Sequence, residues 1–397
     1  MKKLSSSLLT TTIAIGLFLL SAAISHAQST WNGGATPNGN FSAANWDVAP
    51  TSGAGNTLNF AGSINLNATN DITLTSADQV INFNAGASAF TIYGGAIRAG
   101  NIANNSSVLQ MIMPSLRLNG GRTFNVGTAG MLLGQPVGST STSGRTVTKT
   151  GTGDLTITGG TAVSGGAGYS VSQGALVFAN TTAATLGSGA ANGVSLTASG
   201  TTLRLNNSGT LSMLGTITTV SGSSVTLNNS AAVTVSGGTT IAAGANLAGA
   251  GNLGGGLVSV SGGVAPGISG IGTISIASLT LASGSTVTME LDRSAGQNAD
   301  LLSASGTLTF NGNGTLQINN IGASLLEGDT FNLFDGTISG PFATVNLPTL
   351  DAGLQWDESQ LYSTGIIDVI AVPEPATFAL LGMGGLVAAW QIRRRKA

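Results

Sequence analysis

The chain of 397 residues contains no cysteine, so no disulfide braces its fold and no thiolate is available as nucleophile or metal ligand. Its single histidine is His26, inside the N-terminal apolar leader described below. With that residue removed, Ser-His-Asp and Cys-His arrangements and the usual zinc sites are excluded by inventory alone. Charged residues make up 7% of the chain, against roughly 25% in ordinary soluble domains. Any polar chemistry must therefore come from a few carboxylates or from hydroxyl and amide groups.

What is abundant is glycine, with 60 residues against 9 prolines, together with Thr, Ser, Asn and Ala. Such a composition can signal disorder, but disordered chains lack β-branched and apolar residues. Here Val, Ile, Leu and Thr recur in short runs that alternate with polar residues. Asp154-Leu155-Thr156-Ile157-Thr158, Thr202-Leu203-Arg204-Leu205-Asn206 and Ser224-Val225-Thr226-Leu227-Asn228 are examples. Period-2 alternation with one apolar face marks half-buried strands. No stretch of the body carries a helical period.

The two ends differ from the body. Lys2 and Lys3 precede the apolar run Ile13 to Leu20, and Ser25-His26-Ala27 gives the small-x-small pattern of a signal-peptidase site. Residues 1–27 are thus expected to be a signal peptide, with cleavage between Ala27 and Gln28. At the other end, Val372-Pro373-Glu374-Pro375 leads into the uncharged stretch Ala376 to Ile392 and then Arg393-Arg394-Arg395-Lys396-Ala397. As a helix that stretch would be about 26 Å long, at roughly 1.5 Å per residue, which is at the short end of what crosses a bilayer core. The four basic residues after it are expected to stay on the cytoplasmic side. The prolines before it form a stiff, non-helical entry that exposes the peptide.

The tail, residues 372–397, resembles the PEP-CTERM sorting signal of exported proteins in Gram-negative bacteria. The resemblance rests on Pro373-Glu374-Pro375, the Gly-Met-Gly-Gly run of Gly382 to Gly385 and the Arg cluster. It implies recognition of Pro373, Glu374 and Pro375 by an exosortase-type processing enzyme. Ala376 to Ile392 would then be the membrane stop, and Arg393, Arg394, Arg395 and Lys396 the orientation lock.

Between these ends lies a body of residues 28–371 with seven basic and fourteen acidic residues, a net charge of −7. No basic patch is available to neutralise phosphates, so a nucleic-acid partner is not expected. Within the body, Gly200-Thr201-Thr202-Leu203-Arg204-Leu205-Asn206-Asn207-Ser208 returns further along as Gly222-Ser223-Ser224-Val225-Thr226-Leu227-Asn228-Asn229-Ser230. Looser echoes occur at Gly284 to Leu291 and Gly312 to Asn319. The spacing of the two copies suits one coil of a parallel β-solenoid, with Gly at the corners and Thr and Asn stacked between coils. A series of irregular β-sandwiches is the competing architecture, and the lack of regular hairpin signals disfavours it.

Lys149-Thr150-Gly151-Thr152-Gly153-Asp154-Leu155-Thr156-Ile157-Thr158-Gly159, followed by Tyr169 and Gln173-Gly174-Ala175-Leu176-Val177, resembles the autotransporter-associated β-strand repeat. The similarity covers residues near 147–180. Val264 to Gly272, Gly340-Pro341-Phe342-Ala343, Leu354-Gln355-Trp356-Asp357 and the N-terminal Asn45-Trp46-Asp47 are similar to other parts of such chains. The resemblance implies an all-β, right-handed parallel β-helix. It departs from that family in ending with a short tail in place of a membrane β-barrel.

Carboxylate chemistry is what the inventory leaves. Glycoside hydrolysis uses two carboxylates about 5 to 9.5 Å apart. The candidate pairs are Glu290 with Asp292, beside the base Arg293, and Asp357 with Glu358. Two residues apart on a strand share a face, whereas adjacent ones point apart. Gly151-Thr152-Gly153-Asp154-Leu155 loosely resembles part of a calcium-binding repeat, but it occurs once and has no partner coil. Trp31, Trp46 and Trp356 lie in the two terminal parts of the body, the pattern of capping residues.

The sequence therefore predicts an exported, non-enzymatic β-solenoid with no catalytic, metal or cofactor site. It would be membrane-anchored through its tail and then placed at the cell surface or in the extracellular matrix, in a structural or adhesive role. An extracellular polysaccharide is a candidate partner. A polysaccharide-active enzyme or binding module on the same solenoid is the alternative.

Overall fold

The computed structural model describes residues 27–139, 145–159, 166–186, 193–268 and 270–372, together with Gln391. The body is an all-β parallel solenoid. Every pairing within its large sheet system joins strands of successive coils, and every one of those ladders is parallel.

One coil shows the construction. Thr202–Leu205, Leu211–Met213 and Ile217–Thr218 form three sides of a turn. Each pairs with the strand one coil on: Ser224–Asn228, Val233–Val235 and Thr239–Ile241 respectively. The sequence repeat is thus the ladder register itself. Thr202 lies beside Ser224, Leu203 beside Val225 and Leu205 beside Leu227. The echo near Gly284 and Gly312 pairs with a one-residue offset, Thr286 against Thr315. Coil length is not constant: the coil from Asn246 to its partner Gly263 is short, and the one from Thr286 to Thr315 is long.

Alternation explains why these segments settle where they do. Leu203, Leu205, Leu211, Met213, Ile217, Val225 and Leu227 are all fully buried, while the residues between them face outward. Stacking places each apolar side chain on the equivalent one of the next coil, about 4.8 Å away. The core is therefore one continuous column along the axis.

The corners need special residues. Gly200, Gly222 and Gly244 recur one per coil, with φ of 77°, 77° and 75°. A Cβ at Gly222 would also collide with the Ser199 hydroxyl, so only glycine fits there. The next corner carries the buried asparagines Asn180, Asn207 and Asn229. Their Nδ2 groups donate to carbonyls of their own corner and of the following coil: Asn207 to Gly209 O (2.7 Å), Asn229 to Ala231 O (2.7 Å) and Asn252 O (2.9 Å). These amides supply at the turn the interstrand bonds that the bent backbone cannot make.

Lys149 performs the same task with a charge. Its side chain is fully buried between coils, and its ammonium donates to the carbonyls of Thr150, Gly151 and Gln173. Burial lowers its pKa from 10.5 to about 8, partly offset by the charge of Asp154. That role accounts for a lysine opening the Lys-Thr-Gly-Thr-Gly segment.

The two ends are built differently. At the first coil, Trp31 and Trp46 meet edge to face at 4.9 Å, with Phe41 and Phe60 against them. At the other end the chain abandons parallel pairing. Thr330–Asn332, Leu354–Asp357 and Ile366–Ala371 form a separate three-stranded antiparallel sheet. There Trp356 packs on Phe331, and its indole N–H donates to Pro348 O at 2.9 Å.

Replacing Leu203 by Ala, in the middle of the column, is expected to lower unfolding stability by about 2–5 kcal/mol, measured by denaturant titration. Lys149 gives a pH signature. Its folded pKa is below the unfolded value, so the folded state gains stability as pH rises from about 8 toward 10.5. Thermal midpoints recorded across that window should rise for the wild type relative to Lys149→Met.

Candidate functional site

The acidic residues chosen from sequence lie near the C-terminal coils. Glu290 is on the strand Thr286–Leu291, with its side chain half-buried on the outer face. Asp292 is not its working partner. The Asp292 Oδ1 accepts the Ser294 N–H at 3.0 Å and the Ser294 hydroxyl at 2.6 Å, contacts that hold its carboxyl below the usual range. Arg293 is also engaged, its Nε donating to Asp329 at 2.9 Å. At Asp357, Oδ1 accepts the Ser359 N–H at 2.9 Å, and the neighbouring Glu358 is exposed. Asp154 forms an ion pair with Arg204 at 2.5 Å, which occupies the carboxylate of the calcium-like segment.

The structure instead brings Glu290 together with Asp300, a residue that the strand pattern did not mark. The chain turns back after Leu291, and an antiparallel bridge between Leu291 and Ala299 carries Asp300 to the coil wall. There it is fully buried. One oxygen accepts the Gly272 N–H at 2.7 Å and the other the Glu290 N–H at 2.8 Å. With Thr288, Gly267 and Ile268 the two acids line a hollow of about 180 Å³. Burial pushes the Asp300 carboxyl up to about 6; the two N–H donors oppose this, and the charge of Glu290 adds to it. The only signal in the sequence was a lone Asp in an otherwise polar turn.

Chemically this arrangement is a clasp. Both Asp300 oxygens are already acceptors of backbone N–H groups from two neighbouring coils, so they hold the 291–300 turn against the solenoid. Among the described residues, no three His, Cys, Asp or Glu side chains converge as a metal site would require.

The chain termini form the second candidate. Ala27 and Gln28, the expected cleavage pair, open the first strand, Ala27–Trp31, and both are exposed. Ala27 already pairs with Asn56 and Gln28 with Thr57. At the other end the last strand, Ile366–Ala371, is followed by Val372, whose N–H donates to Gly353 O at 2.8 Å. The described strands of the body end there. Pro373, Glu374, Pro375, the apolar stretch Ala376 to Ile392 and Arg393 to Lys396 lie outside the described residues, Gln391 apart, as do residues 1–26 of the expected signal peptide. Among the described residues no helix is long and apolar enough to cross a membrane.

Asp300 offers a direct test of the clasp. Its folded pKa is raised, so its contribution to stability is full below about pH 4 and is lost as pH rises through about 6. The difference in thermal midpoint between wild type and Asp300→Asn should shrink steadily over that interval. A difference that does not vary with pH would remove the assignment.

Comparison with known proteins is informative at one end. Residues 371–395 match the model of the PEP-CTERM protein-sorting motif. No curated protein and no solved structure matches the chain. The motif implies an exported protein that is anchored in the membrane and then processed by an exosortase.

Proposed function

We propose that the mature body, Gln28 to Ala371, is a non-enzymatic structural or adhesive element of the cell surface or extracellular matrix, released there by cleavage at Pro373-Glu374-Pro375. The observation that carries this reading is where the fold ends. Among the described residues, the last backbone contact of the body is made by Val372, just before Pro373-Glu374-Pro375. Cleavage at Pro373-Glu374-Pro375 would therefore leave the described contacts of the solenoid intact.

Further features support the reading. The mature body has neither His nor Cys. Of the acids considered for catalysis, Asp292, Asp300 and Asp357 accept hydrogen bonds from nearby groups. A long, weakly charged solenoid offers a repetitive surface in place of a deep cleft, which suits lateral contact with a polymer. An extracellular polysaccharide is the partner that this setting favours. The right-handed coil and the kinship with autotransporter-associated repeats belong to the same proposal. The strand pair Thr146–Thr150 and Leu155–Ile157, followed by Gly168–Val171 and Ala175–Phe178, has the order that those repeats require.

Intact-mass and terminal-peptide mass spectrometry on protein from native cells and medium tests the proposal. A body that starts at Gln28, ends near Pro373-Glu374-Pro375 and collects in the matrix fraction is the expected result. A chain still ending at Ala397 and found only in membranes would overturn the release step.

A further inference from the structure

One outer column of the solenoid differs from the others. Thr123, Thr148, Ser170, Ser195, Thr218 and Thr240 occupy equivalent register positions in six successive coils. The next four positions, ending at Ser339, are Ser or Thr as well. All ten face outward. At about 4.8 Å per coil the row is roughly 43 Å long. A second outer row also carries hydroxyls, at Thr185, Ser212 and Thr234, but it breaks off at Gly254. The corresponding row of a further face runs Thr156, the buried Val177, Arg204, Thr226 and Ala248, mixing apolar, charged and polar residues.

The hydroxyls of this row are mostly unused by the protein. Thr218 donates to Ser195 at 3.0 Å, but those of Thr148, Ser170 and Thr240 have no protein partner among the described residues. Beside the row, Gly168 and Gly193 stand where neighbouring coils carry Thr146 and Thr216, and these four residues border a groove of about 340 Å³. Among the described residues, its lining includes Ser170, Ser195 and Thr197 and no charged residue. The nearest cation in sequence, Arg145, is not part of the lining.

We infer that this groove and the hydroxyl row form a binding site for one strand of an uncharged, hydroxyl-rich polysaccharide lying along the solenoid axis. The inference rests on the proposed matrix role and names its ligand class. Three features point to this occupant. The lining offers both donors and acceptors, as a sugar hydroxyl requires. It offers no counter-charge for uronic acid or sulfate. One coil is also about as tall as one pyranose unit is long, roughly 5 Å, so successive sugars would meet equivalent hydroxyls. Among the described residues, no aromatic ring beyond that of the buried Tyr169 borders the groove, so recognition would be through hydrogen bonds rather than ring stacking.

The test is affinity electrophoresis of the purified full chain in mild detergent, in gels containing hydroxyethyl cellulose, dextran or the acidic polymer alginate. Retardation by at least one neutral polymer and none by alginate is expected. The variant Ser170→Val/Ser195→Val/Thr218→Val should bind about tenfold more weakly, the loss of two or three hydrogen bonds. Ser195→Thr/Thr218→Ser should retain binding. A thermal transition followed by circular dichroism checks the fold. If the triple variant fails to fold, Ser195→Asp, which places a charge in the groove without touching the core, must abolish retardation instead. Failure of the wild type to be retarded by any neutral polymer overturns the inference, as does preference for alginate or equal retardation of the folded variants. Loss of self-association or of ice-growth inhibition in those variants, without glycan binding by the wild type, would overturn it in favour of a second copy or of ice. Because the gel assay uses purified protein, such a result would leave the release step, tested by mass spectrometry, intact.

Discussion

The whole body depends on one constraint: each coil must satisfy the backbone hydrogen bonds of the next in unbroken register. A chain without disulfides and with so few charges has little else to fix its tertiary structure. Parallel ladders provide that fixing, because a one-residue slip would turn every buried Leu or Val toward solvent and every Thr inward. The corner asparagines, the glycines with φ near 77° and the buried Lys149 all serve this same requirement. Each supplies a bond or a backbone shape at a place where the chain bends and the regular ladder lapses.

Charge is distributed unevenly along this scaffold. Residues 72–286 hold two acids, Asp78 and Asp154, against Arg98, Arg117, Arg122, Arg145, Lys149 and Arg204. Residues 287–372 hold ten acids against Arg293 alone. Asp78 is shared by Arg98, at 2.7 Å, and Arg122, so even the positive part is partly neutralised on its own surface. The acidic excess lies in the coils nearest the sorting tail.

Much of the fold was legible because the coil repeat is written directly into the residues. The near-identity of Gly200–Ser208 and Gly222–Ser230 gave both the period and the register, and alternation gave the buried face. The antiparallel sheet at the C-terminal end was not legible, because strands such as Ile366–Ala371 alternate in the same way whichever direction their neighbour runs. The site was less readable than the fold. Glu290 was noticed because it sits on a strand beside Asp292, whereas its actual neighbour Asp300 reaches it through a turn whose path no periodicity encodes. Lys149 stood out only as part of a resemblance; its capping of three carbonyls needed the coil geometry. The hydroxyl row was invisible for a related reason. Its members lie a full coil apart in sequence, the coils differ in length, and the row aligns only once each length is known.

A solenoid of parallel coils has two open faces, each able to accept another chain's strand. In this protein the C-terminal face is not left that way. The chain folds back over the last coils, Leu333 and Phe334 donate their N–H groups to Gly365 O, and the Tyr362 hydroxyl accepts the Phe342 N–H at 3.2 Å. Under the proposed release, this closed end would disfavour head-to-tail growth of fibres by coil stacking. An assembly of such molecules would then thicken sideways, which makes the number of units in a bundle, rather than the length of a filament, the quantity that varies.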